Sequence, residues 1–197
     1  MPLALLRETP LAPPVELGPY RRCDYAARPD ELRCELIRGN AYVCPRPTPS
    51  HQVVLTALIR ALDPFADSVG GLVLPSPLDV HLADHSIVQP DVIYISAGRR
   101  SLVKDCIDGV PDLLVEILSP GMARRDRCEK LRLYAQSGVR EYWIVDPQEQ
   151  WIQFLVNKGG RFVVAVPTGG KYHSEALPEI SLDVAAFWRE VDRRLGT

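Results

Sequence analysis

The sequence predicts a mixed α/β fold. Apolar residues recur with the helical period of about 3.6 over residues 50–65 and again over 123–137. Between these segments they form shorter continuous runs, over 72–82, 88–96 and 111–118, which is the pattern of buried strands. A helix, three strands and a second helix in this order indicate a mixed α/β core.

Composition and length indicate one soluble domain. The chain has 197 residues, of which 46% are hydrophobic and 24% are charged, and this length fits one large domain better than two small ones. No apolar run approaches the roughly 18 residues that a membrane crossing needs. The N-terminus also lacks the basic and apolar regions of a secretory signal. We therefore expect a cytoplasmic protein with no membrane partner.

Charge and cysteine usage exclude several classes of protein. The net charge is −2, so overall electrostatics do not draw the chain onto nucleic acid, and such a partner would need a local basic patch. The five cysteines contain no C-x-x-C pair, which argues against a disulfide framework and against a zinc knuckle.

The N-terminal elements are predicted as follows. Residues 1–19 hold five of the eighteen prolines and show no periodicity, so we expect a loose segment before a domain over residues 20–197. Residues 34–43 predict a hairpin around Gly39-Asn40. After a proline-rich connector, Ser50 is the predicted N-cap of the first helix.

The later elements follow from turn and stop signals. A polar turn at residues 83–86 separates the first two strands, and Ser119-Pro120-Gly121 ends the third. Gly138 is placed to end the second helix. The remaining elements are a strand over 141–146, a hairpin of 151–156 with 161–166, and an amphipathic helix over 183–195.

Two carboxylates lie on strands that are otherwise apolar. These are Asp91 and Glu116, and burying an ionised carboxylate costs several kcal/mol, by rough estimate, unless a cation or donors compensate it. One such residue alone would favour a strand-end acid bonded to loop amides or to an arginine. Two on consecutive strands favour a shared metal site.

Lys130 admits two interpretations. It lies at the flank of the buried stripe of the second helix, one turn before Tyr134, from where its ammonium could reach over the end of the sheet. The alternative is a solvated lysine that pairs with Asp126 or Glu129, and spacing alone favours this second interpretation.

The same helix carries the best local basic patch. Arg124, Arg125 and Arg127 are the predicted nucleic-acid contacts, with Arg132 nearby. The alternative is a charged, solvated face of the helix.

An ordered series of short segments resembles the Uma-two (Uma2) family of restriction-endonuclease-like proteins, within the PD-(D/E)XK nuclease superfamily. The resemblance covers about residues 30–190. The segments that carry it are Glu35–Gly39, Pro47–Gln52, Ser76–Val80, Gln89-Pro90-Asp91, Glu116–Pro120, Asp126, Lys130, Tyr134, Gly138-Val139, Glu141-Tyr142-Trp143 and Val145-Asp146-Pro147.

The resemblance implies a core of one helix, three strands, a second helix and a fourth strand. It also implies that Asp91, Glu116 and the carbonyl of Ile117 ligate Mg²⁺ or Mn²⁺, which acidifies a water that attacks a phosphodiester. The superfamily usually keeps a lysine two residues after the glutamate, but this position is Leu118. Within the family Lys130 is expected to supply the ammonium from the helix.

Three further residues are weaker site candidates. Glu35 could be an outer ligand of the metal or of its water, and His51 could orient substrate from the N-terminus of a helix. Asp79 is a site candidate of the same rank as Glu35 and His51. For Glu35 and His51 the alternatives, a surface acid of a hairpin and an ordinary helical histidine, are about as well supported by the sequence.

The sequence thus predicts a metal-dependent endonuclease that acts on nucleic acid, with DNA as the expected polymer and a homodimer as the expected assembly. It does not distinguish DNA from RNA by itself. The alternative is a catalytically silent member of the same fold that acts as a nucleic-acid-binding or dimeric scaffold, which the net charge and Leu118 favour.

Overall fold

The structure is a computed structural model that describes residues 16–29, 32–119 and 125–196. The strands are β1 (Cys34–Ile37), β2 (Asn40–Val43), β3 (Leu72–Pro75), β4 (Val80–Ala83), β5 (Ser86–Val88), β6 (Val92–Ile95), β7 (Ile107–Asp108), β8 (Leu113–Ile117), β9 (Glu141–Asp146), β10 (Trp151–Asn157), β11 (Phe162–Ala165), β12 (Lys171–His173) and β13 (Ser181–Asp183). The α-helices are α1 (Arg22–Ala26), α2 (Pro49–Ser68), α3 (Leu131–Ser137) and α4 (Val184–Leu195). A 3₁₀ helix spans Ala97–Leu102, and a π-helix spans Arg125–Lys130.

A six-stranded sheet forms the centre of the molecule. Its strand order is β11-β10-β9-β8-β6-β3. β8 and β9 are parallel, joined by the segment that carries the π-helix and α3, and the other pairs are antiparallel. The predicted core order is confirmed, because α2, β3, β6, β8, α3 and β9 occur in this order along the chain, with β4, β5 and β7 of another sheet inserted between β3 and β8.

Residues of the central strands alternate between two cores, as the period of a strand requires. Val115 packs with α2 and α4 in one core, and Leu114 packs with α3 in the other. A second sheet, of order β2-β1-β5-β4-β7, contributes Ile37 and Val80 to the core that contains α3. Glu116 lies two residues after Leu114 and therefore faces the side of α3 and of this second sheet.

Two predicted strands are each divided in the structure. The predicted strand 72–82 becomes β3 and β4, which belong to different sheets, and 88–96 becomes β5 and β6. The divisions occur at prolines, because proline lacks the N–H that a strand ladder needs. Pro75 and Pro77 divide the first predicted strand, and Pro90 divides the second. Asp91 accordingly precedes β6 and is not within a strand.

The first two of the three predicted helices differ from the structure at their starts. Thr48, not Ser50, caps α2, because the Thr48 hydroxyl accepts from the backbone N–H of His51 at 3.3 Å and Pro49 is suited to the first helical position. The second helix is a π-helix followed by α3, and the part of the prediction over 120–124 lies outside the described residues. Gly138 ends α3 in the left-handed conformation, as predicted.

The turn of the β1–β2 hairpin lies one residue earlier than predicted. Arg38 and Gly39 occupy its centre with φ angles of 49° and 75°, which is the left-handed geometry of a two-residue hairpin turn. The hairpin of β10 with β11 and the terminal helix α4 agree with their predictions. The helix α1 and the β12–β13 hairpin were not predicted. No helix among the described residues is long and apolar enough to span a membrane.

Candidate active site

A pocket of about 250 Å³ lies where the two sheets meet the N-terminus of α2. Five segments distant in the chain supply its polar side chains. These are Glu35 of β1, His51 of α2, Asp91 before β6, Glu116 of β8, and Asp126 and Lys130 of the π-helix.

Lys130 lies at the centre of the buried charges. Its Nζ atom is 2.8 Å from Oε1 of Glu116 and 2.8 Å from Oε1 of Glu35. Asp126 is also close, with Oδ1 at 3.7 Å from the same nitrogen. Lys130 is only 4% exposed, so the interpretation of a solvated lysine is wrong, although Asp126 is one of its partners.

The pKa values of Glu116 and Lys130 are both shifted, by burial and by the several carboxylates that surround them. Burial raises the pKa of Glu116 well above its ordinary value; Lys130 opposes this, whereas Asp126, Glu35 and Asp91 add to it. Burial alone would lower the pKa of Lys130, but the carboxylates of Glu116, Glu35 and Asp126 outweigh it and raise that pKa well above its ordinary range. The lysine is therefore a permanent cation within an acidic pocket.

Tyr134 completes the environment of Glu116. The tyrosine hydroxyl donates to Oε1 of Glu116 at 2.7 Å, so this oxygen accepts from both Tyr134 and Lys130. Burial and then the charges of Glu116 and Glu35 raise the pKa of Tyr134 well above its ordinary value. The phenol is therefore a hydrogen-bond donor that holds the carboxylate in place.

Asp91 is held from two sides. Its Oδ2 atom accepts from the backbone N–H of Ile117 at 2.7 Å and lies 3.3 Å from Nε2 of His51. The first contact connects the start of β6 to the end of β8. The buried Nδ1 of His51 has no hydrogen-bond partner among the described residues.

Glu35 is part of the pocket and not a surface acid of the hairpin. It is 2% exposed, because every residue of β1 is covered. Besides its contact with Lys130, Oε1 accepts from the backbone N–H of Gln89 at 2.8 Å. Glu35 therefore connects the second sheet to the π-helix and to the connection between β5 and β6.

The donor set fits a hard divalent cation. The carboxylates of Asp91 and Glu116 and the carbonyl of Ile117 are oxygen ligands of the kind that Mg²⁺ prefers. The described lining of the pocket is also acidic, since it holds more carboxylates than cations. The carboxylates are Glu35, Asp91, Glu116 and Asp126, and the cations are Arg33 and Lys130. No group of three or more His, Cys, Asp or Glu side chains within residues 16–29, 32–119 and 125–196 is arranged to hold a metal ion, so water would supply further ligands.

Other predicted site residues lie outside this pocket. Asp79 accepts from Tyr25 and from the Gln89 side chain, each at 2.8 Å, and reaches the pocket only through Gln89. Arg125 stacks over the ring of Tyr42, with 4.2 Å from its guanidinium carbon to the ring centroid.

Arg127 is likewise engaged elsewhere, since it forms an ion pair of 3.1 Å with Asp146. Arg124 lies outside the described residues.

Three residues of the site were not proposed as site residues from the sequence, although Asp126 and Tyr134 belong to the segments that carry the family resemblance. Asp126 and Tyr134 flank Lys130 at intervals of four residues, and this spacing, which places side chains on one helical face, was the available signal. The third is Arg33, which lines the mouth of the pocket. No local pattern marks Arg33, since it precedes the hairpin as a single exposed arginine.

Comparisons with known proteins identify the family and the fold of the chain. The family model Uma2, described as "Putative restriction endonuclease", matches residues 20–185. A crystal structure of a putative nuclease belonging to DUF820 from Anabaena variabilis ATCC 29413 superposes with a TM-score of 0.73 and 18% sequence identity. The match covers 88% of this chain and 99% of that chain, and it shows a common fold. No curated protein matches the chain.

Proposed function

Because the chain belongs to the Uma2 family of putative restriction endonucleases, we propose that it is a divalent-metal-dependent nuclease. Its pocket would hydrolyse phosphodiester bonds of nucleic acid, with DNA as the expected polymer. The observation that carries the proposal is the buried contact of 2.8 Å between Lys130 and Glu116, beside Asp91 in the same pocket. Two acids in one pocket can hold a divalent cation, and a lysine beside them can stabilise negative charge, which are the two roles that the proposed hydrolysis needs.

Asp91, Glu116 and the carbonyl of Ile117 would hold Mg²⁺ or Mn²⁺. The ion supplies an acidified water and stabilises the charge that develops on phosphorus. The chain itself orients these ligands, because the Ile117 amide and His51 hold Asp91 while Tyr134 and Lys130 hold Glu116. Four neighbouring elements thus keep the two carboxylates directed into one pocket.

Lys130 is proposed to act on the reacting groups as a fixed positive charge. Hydrolysis joins the oxygen of water to phosphorus and breaks one P–O ester bond, whose oxygen departs with a proton. An ammonium beside the attacking water and the phosphate oxygens favours both the deprotonated water and the charged transition state. The buried Leu118 cannot supply this charge, which is why the role is assigned to Lys130.

Incubation of the purified full chain with plasmid and with single-stranded DNA, in Mg²⁺ or Mn²⁺, tests the proposal. We expect cleavage that EDTA abolishes and that the Asp91→Ala/Glu116→Ala double mutant lacks. A matched control is Asp67→Ala/Glu149→Ala, which removes two exposed carboxylates away from the pocket. Binding without metal-dependent cleavage would instead support a silent nucleic-acid-binding scaffold. The homodimer and the cytoplasmic location stay predictions of the sequence.

A further inference from the structure

We propose that the pocket receives one unpaired strand of nucleic acid and not an intact duplex. The proposal deepens the proposed function, since it concerns the substrate of the same pocket. Three observations support it: the depth of the acidic groups, the size and walls of the pocket, and the small number of cations that line it.

Depth is the first observation. Glu35, Glu116 and Lys130 are each at least 96% buried. A phosphate that reacts beside them must therefore descend below the protein surface. A duplex is stiff, with a persistence length of about 50 nm, and therefore bends little over the few nucleotides that border the pocket. A flexible unpaired strand can bend at each nucleotide and enter.

The size and walls of the pocket are the second observation. The volume of about 250 Å³ is less than the roughly 300–1,000 Å³ of pockets that hold drug-sized ligands. Pro45 and Pro47, between β2 and α2, and Pro77, between β3 and β4, line the pocket. Each proline fixes its own φ angle, which stiffens these connections. A space of this size suits one phosphodiester with its sugar better than two paired strands.

The third observation is that few cations are available. Among the described residues that line the pocket, the lysines and arginines are Lys130 and Arg33. Lys130 is engaged by Glu116 and Glu35, whereas exposed Arg33 forms no ion pair within the described ranges. A protein that contacts about 6–10 phosphates of a duplex uses lysines and arginines to neutralise them. One arginine at the mouth instead suits a single phosphate of one strand as it enters.

Binding and cleavage of matched substrates test the inference. The substrates are a labelled single strand of DNA, the same sequence as RNA, the DNA duplex, and that duplex with an internal unpaired bubble. Binding is measured by fluorescence anisotropy in EDTA over a range of salt concentrations, and cleavage is measured with Mg²⁺ or Mn²⁺. We expect the single strand to bind at least about tenfold more tightly than the duplex, and the bubble to be cut within its unpaired part.

Substitution of Arg33 provides the second part of the experiment. Arg33→Ala should weaken binding of the single strand and reduce the salt slope by about 0.7, the value of one phosphate contact on a single strand. Arg33→Lys keeps the charge and should keep the slope. Arg161→Ala, which removes an exposed arginine beside β11, is the matched control and should change neither quantity. Melting temperatures of the three variants establish that they are folded.

The outcomes separate this inference from the proposed function. Duplex bound or cut as well as the single strand overturns the inference and leaves the nuclease intact. Preferential binding of the single strand that depends on Arg33, without cleavage, supports the inference and removes the hydrolytic function. An Arg33→Ala variant that behaves like Arg161→Ala, or no binding of any strand at low salt, overturns the inference.

Discussion

Lys130 is the residue on which the proposed chemistry most depends. Lys130→Ala should lower the turnover rate by about 10²–10⁴-fold, the usual effect of a positioned proton-transfer or electrostatic group. Metal binding should persist because Asp91 and Glu116 remain. Turnover is measured in saturating metal, with Lys171→Ala, an exposed lysine, as the control.

A second substitution tests where the ammonium is needed. Leu118 faces the same side of the sheet as Glu116, since side chains alternate along a strand. Leu118→Lys added to Lys130→Ala should therefore restore part of the activity, at some cost in packing. Turnover at the wild-type level in Lys130→Ala alone would remove the lysine from the mechanism.

Glu116 is expected to destabilise the metal-free protein at neutral and alkaline pH. Its pKa is raised in the folded state by burial and by neighbouring carboxylates, so the folded protein binds a proton that the unfolded chain has lost. The free energy of unfolding therefore falls as the pH rises from the ordinary carboxyl pKa of 4.5 towards the folded value. Each pKa unit by which the folded state raises the pKa of Glu116 corresponds to a loss of about 1.4 kcal/mol in the free energy of unfolding.

Glu116→Gln tests this dependence on pH. In EDTA the variant should have a higher melting temperature than the wild type, by about 2–4 °C for each kcal/mol gained in the free energy of unfolding. This difference in melting temperature should be larger at pH 8 than at pH 5. Lys130 stays compensated in this variant, because Glu35 and Asp126 remain close to it. Equal differences in melting temperature at the two pH values would contradict the raised pKa.

At the scale of elements, a second buried carboxylate has a structural role. Glu141 at the start of β9 is fully buried, and its carboxylate accepts four hydrogen bonds at 2.6–2.8 Å. One donor is the indole N–H of Trp143. The other three lie in or just after β12 and are the Tyr172 hydroxyl, the Ser174 hydroxyl and the Ala176 amide. A carboxylate can accept from all four. It thereby attaches the segment after β11 to the central sheet.

Glu141→Gln should therefore destabilise the fold. The amide nitrogen of glutamine would face donors, and we expect a loss of about 2–4 kcal/mol, or about 5–15 °C in melting temperature. Glu175→Gln is the control, since Glu175 forms an exposed ion pair with Lys158. Thermal unfolding followed by circular dichroism makes the comparison, and a shift as small as that of the control would contradict the structural role.

At the scale of the whole molecule, metal binding should be visible as a gain in overall stability. A cation that binds only the folded state adds about 2.7 kcal/mol at a concentration of 100 times Kd, or about 5–10 °C in melting temperature for a protein of this size. The gain should be larger at pH 8 than at pH 5, because protons compete for the carboxylates. A thermal-shift titration with Mg²⁺ and Mn²⁺ measures it.

Asp91→Ala provides the control for that titration. It removes one ligand and leaves Glu116, Lys130 and the acidic surface of the molecule in place. The stabilisation by metal should disappear in this variant. A gain of the same size as in the wild type would show that the cation binds elsewhere on the surface.

The sequence by itself determined the elements that a local period encodes. The strand at 141–146, the β10–β11 hairpin and the end of α3 at Gly138 agree with their predictions, because alternation, helical period and a left-handed glycine are properties of neighbouring residues. The family motifs also marked Asp91, Glu116 and Lys130 as site candidates.

Only the tertiary structure decided which side chains share the pocket and in what environment. Glu35 reaches Lys130 because it lies on β1, a strand of the second sheet on which every residue is buried. Asp91 reaches the Ile117 amide, 26 positions away, because Pro90 divides the predicted strand. The burial of Lys130 depends on three carboxylates from separate segments. No local pattern encodes such contacts, since they join residues that only the pairing of strands and the packing of the two sheets bring together.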